Sequence, residues 1–299
     1  MELFDALRKR KSVRNFSMQV PGNRIQVDLL NYLNNVPVLL PEADISIELL
    51  SYEDLLDYFP NMGPKMIHAP LYLVFRGELA LYHLMNVGYY AEHASVWLTT
   101  KGLGSVWQSG FVLETLEDDE VYYEEDPLNS PKVVGEAELL PSVLALGYPS
   151  KSPGRKIRKY KLKKLLLNPG KHLPQNKLLP LLDAARLAPS EYNQQPWRFL
   201  TGSNDMIHLF MKENILLRNA QRRHMQEAAM GCALGNMEIM AALKGLEMEY
   251  GFMNQVPKDG QNKKNLHYMG TVQVKKAYKQ MMFGFDLNRE TSSNEAEIF

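Results

Sequence analysis

The stretch NVGYYAEHASVWLTTKGLG, residues 86–104, decides how the chain folds. Apolar residues form a broad stripe at helical spacing over Asn86 to Thr100, and Gly102 stands where a helix commonly ends in a left-handed residue. A long helix is therefore expected there. Gly88 to Tyr90 and Lys101-Gly102-Leu103 recur as Gly231 to Ala233 and Lys244-Gly245-Leu246 with the same internal spacing, and an aromatic follows each, Trp107 and Tyr250. Arg14-Asn15-Phe16 is echoed by Arg158-Lys159-Tyr160, and Pro21-Gly22 by Pro169-Gly170. Self-similarity at long period marks a duplicated unit. The chain reads as two copies of one domain, residues 1–150 and 151–299, the second ending in a loose tail rich in Asn, Ser and Glu.

Each half reads as mixed helix and strand. Residues 2 to 10 place Leu3, Phe4 and Leu7 at helical spacing, Ile25 to Leu33 is amphipathic, Ile45 to Ser51 alternates, and Pro70 to Phe75 is a short apolar run. Val143 to Gly147 closes the first copy with a strand, and Ser150 to Gly154 has the composition of a linker. The second copy offers helices at Leu178 to Leu187 and Met225 to Lys244. Its strands are expected near Phe199, at Ile207 to Met211 and at Thr271 to Val274.

Two segments far apart carry binding chemistry. In Arg10-Lys11-Ser12-Val13-Arg14, two guanidiniums and a hydroxyl alternate, so an extended backbone points them the same way and can grip a phosphate monoester through charge-assisted hydrogen bonds. In Ala188-Pro189-Ser190-Glu191-Tyr192-Asn193-Gln194-Gln195-Pro196-Trp197, Pro, Ser and Asn favour a loop that presents short polar groups, suited to the edge of a flat heteroaromatic ring.

Together the two segments resemble the FMN-dependent nitroreductase family, which carries an Arg-x-Ser-x-Arg grip and a Pro-Ser-x-x-Asn-x-Gln-Pro-Trp loop. Gly102 to Phe111 is similar to the family's ring segment, with Trp107, Gln108, Ser109 and Gly110 against the flavin, and Leu146-Gly147-Tyr148-Pro149 to its late strand and turn. In the family the loop precedes the ring segment, whereas here it comes last. The family's two subunits share each flavin, and this chain resembles a branch in which that dimer is fused into one polypeptide. The resemblance implies an α+β fold, a nitroreductase-like α/β sandwich in two tandem copies forming an intramolecular pseudo-dimer.

It also implies an oxidoreductase that passes hydride from NADH or NADPH through FMN to nitroaromatic, quinone or similar small acceptors by ping-pong turnover. Cofactor contacts carry over to Arg10, Ser12, Arg14, Trp107, Gln108, Ser109, Gly110, Pro189, Ser190, Asn193 and Gln195, and Lys156 and Arg158 match a closing Lys-x-Arg. No side chain stands out as a general acid or base. The first copy has apolar Val36-Pro37-Val38-Leu39-Leu40-Pro41-Glu42 in place of the polar loop, so one FMN per chain is expected. The alternatives are a flavin-binding storage or sensor protein and a flavin-free structural relative.

Bulk properties exclude more than they select. Lys plus Arg equals Asp plus Glu at 34 each, so no global field favours nucleic acid or an anionic membrane. The single cysteine, Cys232, is compatible with a reducing cytoplasm, and the absence of an apolar leader or spanning run argues against secretion or insertion. The seven histidines show no zinc-ligand spacing. A pseudo-dimer already buries the family interface, so a monomer is expected, with further pairing to a homodimer open. On general grounds a basic run is usually a solvated helix end, Trp197 a core anchor, Gly102 and Gly104 a helix stop, and Lys156 and Arg158 a solvated linker.

Overall fold

A computed structural model describes residues 1–58, 66–77, 82–108, 122–124, 132–134, 142–151, 157–168, 177–202, 204–213, 220–255 and 265–276. The first half runs α1 (Leu3–Lys9), α2 (Asn23–Asn34), β1 (Ile45–Leu50), α3 (Tyr52–Tyr58), β2 (Leu71–Gly77), α4 (His83–Thr100), β3 (Gly104–Gln108), β4 (Tyr122–Glu124), β5 (Lys132–Val134) and β6 (Ser142–Gly147). The second runs α5 (Leu162–Leu165), α6 (Leu178–Ala185), a 3-10 turn (Glu191–Asn193), β7 (Trp197–Thr201), β8 (Met206–Lys212), α7 (Ala220–Leu243), β9 (Leu246–Gly251) and β10 (Leu266–Lys276). The expected linker lies mostly outside the described residues, and the tail wholly so. Helices α3 and α5 and strands β3, β4, β5 and β9 add to the elements expected from the sequence. Among the described residues no helix is long and apolar enough to cross a membrane.

The α+β class expected from the sequence is observed. The strands form two four-stranded sheets, β1-β2-β6-β3 and β7-β8-β10-β9, and a separate two-stranded ribbon, β4-β5, every pairing antiparallel. Both sheets have the same connectivity. In each, two consecutive strands precede a long helix and two follow it, and the last strand inserts beside the second. Within β2 and β6 alternate residues enter different cores. Leu71, Leu73, Phe75, Leu144 and Leu146 face the main core, while Tyr72, Val74, Val143 and Ala145 join a smaller one with Val13, Phe16 and Leu55. Sequence alternation is therefore masked, because both faces of this sheet are covered.

Helices α4 and α7 are the centre of the molecule. Every residue of α4 from Met85 to Leu98 is buried, as is α7 from Gln226 to Ala241, so neither needs a polar face. They meet through glycines in a reciprocal way. A Cβ on Gly88 would lie 2.0 Å from the Ala228 carbonyl oxygen, and one on Gly231 would lie 1.8 Å from that of Met85. Ala228 stands three residues before Gly231, and Met85 three before Gly88, so each helix offers the other the same place. At its end α4 closes in the six-to-one pattern, with Leu103 N–H donating to the Leu98 carbonyl (3.0 Å), Gly102 N–H to Thr99 (3.2 Å), and Gly102 at φ +75°. Gly102 is thus a helix stop. Gly104 has another task, since its bare Cα admits Val13, whose Cγ2 would be 2.3 Å from an added Cβ.

Four buried titratable groups shape the pH dependence of stability. Desolvation raises Glu92 to about 7 and Glu238 to about 8, from 4.5, and lowers His83 to about 4 and His93 to about 3, from 6.5. The carboxyls favour folding below pH 4.5, and that advantage is lost as pH rises through their folded values. The imidazoles favour folding above pH 6.5, and theirs is lost as pH falls through their folded values. Between pH 4.5 and 6.5 the folded chain holds two carboxyl protons and the unfolded chain two imidazolium protons from these groups, so their slopes cancel, and His208, also lowered by burial, adds only a shallow rise. Urea midpoints are expected to form a plateau there and to fall on both sides. Glu238→Gln should flatten the alkaline fall; a profile that climbs steadily to pH 8 would contradict this account.

Candidate functional site

The grip takes its shape from β3. Ser12 bridges Ser105 in parallel register and Val13 N–H donates to the Ser105 carbonyl (3.0 Å), which extends this segment along the sheet edge. Val13 turns into the core, and Arg10, Ser12 and Arg14 share the other side and line one cavity. The next turn is tied down as well: Ser17 N–H donates to the Tyr148 carbonyl (2.8 Å) and Phe16 bridges Pro149.

The opposite wall is the loop 189–195. Tyr192, Asn193 and Gln195 all have positive φ (45°, 56° and 52°), a conformation that costs non-glycine residues energy and persists only when surroundings enforce it. Gln195 supplies the enforcement. Its backbone N–H donates to Ser190 Oγ (3.0 Å), its Nε2 to the Asn193 carbonyl (3.2 Å), and its Oε1 accepts from Tyr160 N–H (2.7 Å). Asn193 Nδ2 donates to the Arg158 carbonyl (2.9 Å), which turns Oδ1 the other way, buried and without a partner.

Between the walls lies a cavity of about 570 Å³, within the range of about 300–1,000 Å³ usual for small-molecule sites. Val106 and Trp107 of β3 line it, together with Met225, Ala228, Ala229 and Cys232 of α7. Its described lining carries five basic side chains, Arg8, Arg10, Lys11, Arg14 and Lys159, against one carboxylate, Glu191. Such a lining favours an anionic ligand. Below it, Arg10 Nε lies 3.1 Å from Oε1 of Glu92, a residue of α4 with no exposed side-chain surface. Burial raises Glu92 to about 7 against the opposing pull of Arg10, then Lys159, then the Asn236 amide. Lys159 donates to the Ala188 carbonyl, and burial, with Arg10 next, lowers it to about 8.

Of the residues expected from the sequence, Arg10, Ser12, Arg14, Trp107, Pro189, Ser190 and Asn193 meet at this cavity. Gln108 does not line it: its Oε1 accepts from Ile67 N–H (3.0 Å), a structural bond within the first half. Gln195 is likewise buried behind the loop and organises it. Arg158 has an exposed side chain and contributes its carbonyl, while the neighbouring Lys159 faces the cavity. Ser109, Gly110 and Lys156 lie outside the described residues. Lys159 and Glu92 were missed. A lone carboxylate on a helix apolar all round was the available signal for Glu92, whereas nothing local distinguished Lys159 from the lysines near it.

Residues 2–241 match the family described as "Putative TM nitroreductase". The chain belongs to that nitroreductase family. Among solved structures, a "putative nitroreductase" of Thermotoga maritima is similar over 91% of this chain and 92% of its own, at TM-score 0.55 and 18% identity, a likeness of fold. A "putative NADH dehydrogenase/NAD(P)H nitroreductase" of Bacteroides thetaiotaomicron covers 54% of this chain with 94% of its own, at 21% identity and TM-score 0.39. No curated protein matches the chain. The nitroreductase-like sheets and helices expected from the sequence are thus those of this family member.

Proposed function

We propose that this nitroreductase-family chain is a flavin oxidoreductase that binds one FMN in the cavity between grip and loop and reduces nitroaromatic, quinone or similar small acceptors with NADH or NADPH. The observation that carries this reading is the convergence of Arg10, Ser12 and Arg14 with Pro189, Ser190 and Asn193 on one basic cavity, from segments far apart in the sequence. The residues fit the cofactor. Two guanidiniums and a hydroxyl suit a phosphate, and the buried, unpartnered Asn193 Oδ1 offers an acceptor to a ring N–H. Bound FMN would supply the hydride chemistry. The chain's own part is to hold the phosphate with Arg10, Ser12 and Arg14, to seat a flat ring beside Val106 and Trp107, and to place the positive charge of Lys159 nearby for the added electron density. No side chain is assigned a proton-transfer role.

One site per chain follows from the duplication, which belongs to the same proposal. The common strand order and the reciprocal glycine contacts support two copies of one domain packed as an intramolecular pseudo-dimer, and we take it to act as a monomer. Counting back from Gly88 as Met225, Ala228 and Ala229 lie back from Gly231 gives Tyr82, Met85 and Asn86. Tyr82 stacks on Phe252 at 5.3 Å, and Asn86 donates to the carbonyls of Leu40 (3.4 Å) and Ala43 (2.6 Å), fastening the apolar first-copy loop onto α4. We take these contacts to close the second place.

The test is the visible spectrum of the purified chain before and after anaerobic NADH and NADPH. About one flavin per chain that bleaches is expected, while flavin that neither reductant bleaches would indicate a storage or sensor role. Protein that stays colourless and cannot be reconstituted with FMN would overturn the proposal. Arg14→Ala separates binding from folding, because Arg14 is exposed and lines the cavity. A charge-assisted hydrogen bond contributes about 1.5–3 kcal/mol, so FMN should bind roughly 10- to 150-fold more weakly with an unchanged urea midpoint.

A further inference from the structure

We propose that Glu92 is an internal counter-charge to the grip, released by protonation when an anion occupies the cavity, so that ligand binding takes up a proton. The inference rests on reading the cavity as a phosphate site. Its basis is the buried ion pair in which Arg10 faces the cavity on one side and Glu92 on the other. Arg10 keeps only 9% of its side-chain surface exposed and Glu92 none, so solvent screens their mutual field weakly. Glu92 is faced by Arg10 from the segment after α1, by Lys159 from the segment before α5, and by Cys232 and Asn236 from α7. Arg186 stands beside Lys159 and adds a further positive charge to that side.

With the cavity empty, the negative charge balancing Arg10 is the Glu92 carboxylate. A phosphate on the outer side of the same guanidinium brings a second anion close to Glu92, and like charges in a poorly screened interior disfavour ionisation of the weaker acid. The balance is simple. Phosphate ligand, Glu92 carboxylate and one proton from solvent give bound phosphate and a neutral Glu92 carboxyl, with no bond to carbon or phosphorus changed. Glu92 begins near neutrality, with a pKa of about 7, so the exchange falls within the ordinary working range. Affinity should fall as pH rises above that value, by at most tenfold per pH unit, since one proton is taken up. Lys159, lowered to about 8, would produce uptake of the same sign if it were the responsive group, so the test must part the two.

The experiment is isothermal titration of FMN, and separately of inorganic phosphate, into flavin-free protein between pH 7 and 8, in buffers of different ionisation enthalpy. Substantial proton uptake is expected in the wild type and in Lys159→Met, and its loss in Glu92→Gln, which should also bind FMN more tightly than wild type at pH 8. Infrared difference spectra should show a protonated carboxyl band appearing on binding, absent in Glu92→Gln. Uptake that survives Glu92→Gln, or buffer-independent heats in the wild type, would overturn the coupling while leaving FMN binding in place. Phosphate that binds with Glu92-dependent uptake while FMN does not bind would overturn the flavin reading and keep the coupling.

Discussion

Alanine at Gly231 is expected to unfold this chain or to leave it severely destabilised. The single added carbon would stand 1.8 Å from the Met85 carbonyl oxygen, 2.7 Å from its carbon and 2.8 Å from the Tyr89 nitrogen, all backbone atoms of α4. No rotamer change relieves such a clash. The two central helices must separate, and with them the buried residues that both sheets pack against. Overpacking against flexible side chains costs about 1–3 kcal/mol, so a clash with helical backbone should exceed about 4 kcal/mol, a large part of a typical total of about 5–15. Gly88→Ala should behave alike, because its Cβ would meet the Ala228 carbonyl at 2.0 Å. Gly22→Ala is the control: its φ is −59° and nothing lies within 4 Å of an added Cβ. Far-ultraviolet circular dichroism against urea will decide. A Gly231→Ala protein with the wild-type midpoint would mean that the helices do not cross this closely.

Arg10→Ala should have the second largest effect, on two separable quantities. Removing one member of a buried ion pair leaves the other uncompensated and typically costs about 3–5 kcal/mol. That cost should be greatest near pH 8, where Glu92 is ionised, and smaller near pH 5.5, where it is already neutral. On the proposed FMN site, affinity should drop by at least a hundredfold, since the guanidinium that would face the phosphate is gone. The double variant Arg10→Ala with Glu92→Gln should recover most of the stability at pH 8 and none of the affinity. A cycle of the four proteins in urea therefore isolates the pair's coupling from the grip's binding. Equal destabilisation at pH 5.5 and 8 would show that Arg10 matters by packing alone.

The long helices, most strands and both motifs were legible in the sequence because they depend on local patterns. The α4 stretch reads as a helix from its composition and its glycine stop, and the alternation of Arg10, Ser12 and Arg14 in an extended segment puts them on one side. Helices α3 and α5 and strands β3, β4, β5 and β9 are not legible as regular elements. Strand β3 is a short run inside a glycine-rich segment, and β9 carries Glu247 and Glu249 on a half-exposed sheet edge, so neither shows a clean apolar alternation. For the site, residue type identified the segments but not the inward-facing members. Lys159 rather than Arg158 meets the cavity, and the side-chain oxygens of Gln108 and Gln195 accept from backbone N–H groups inside the fold.

What the sequence alone determined is therefore the membership of each segment: basic extended segment, polar loop, central helix. Those are set by nearest-neighbour preferences, which operate over a few residues. The tertiary structure alone decided which side chains meet and that Glu92 lies under Arg10. Such pairings depend on how α4 and α7 cross, and that crossing is fixed by two glycines whose significance appears only when the opposite backbone is in place.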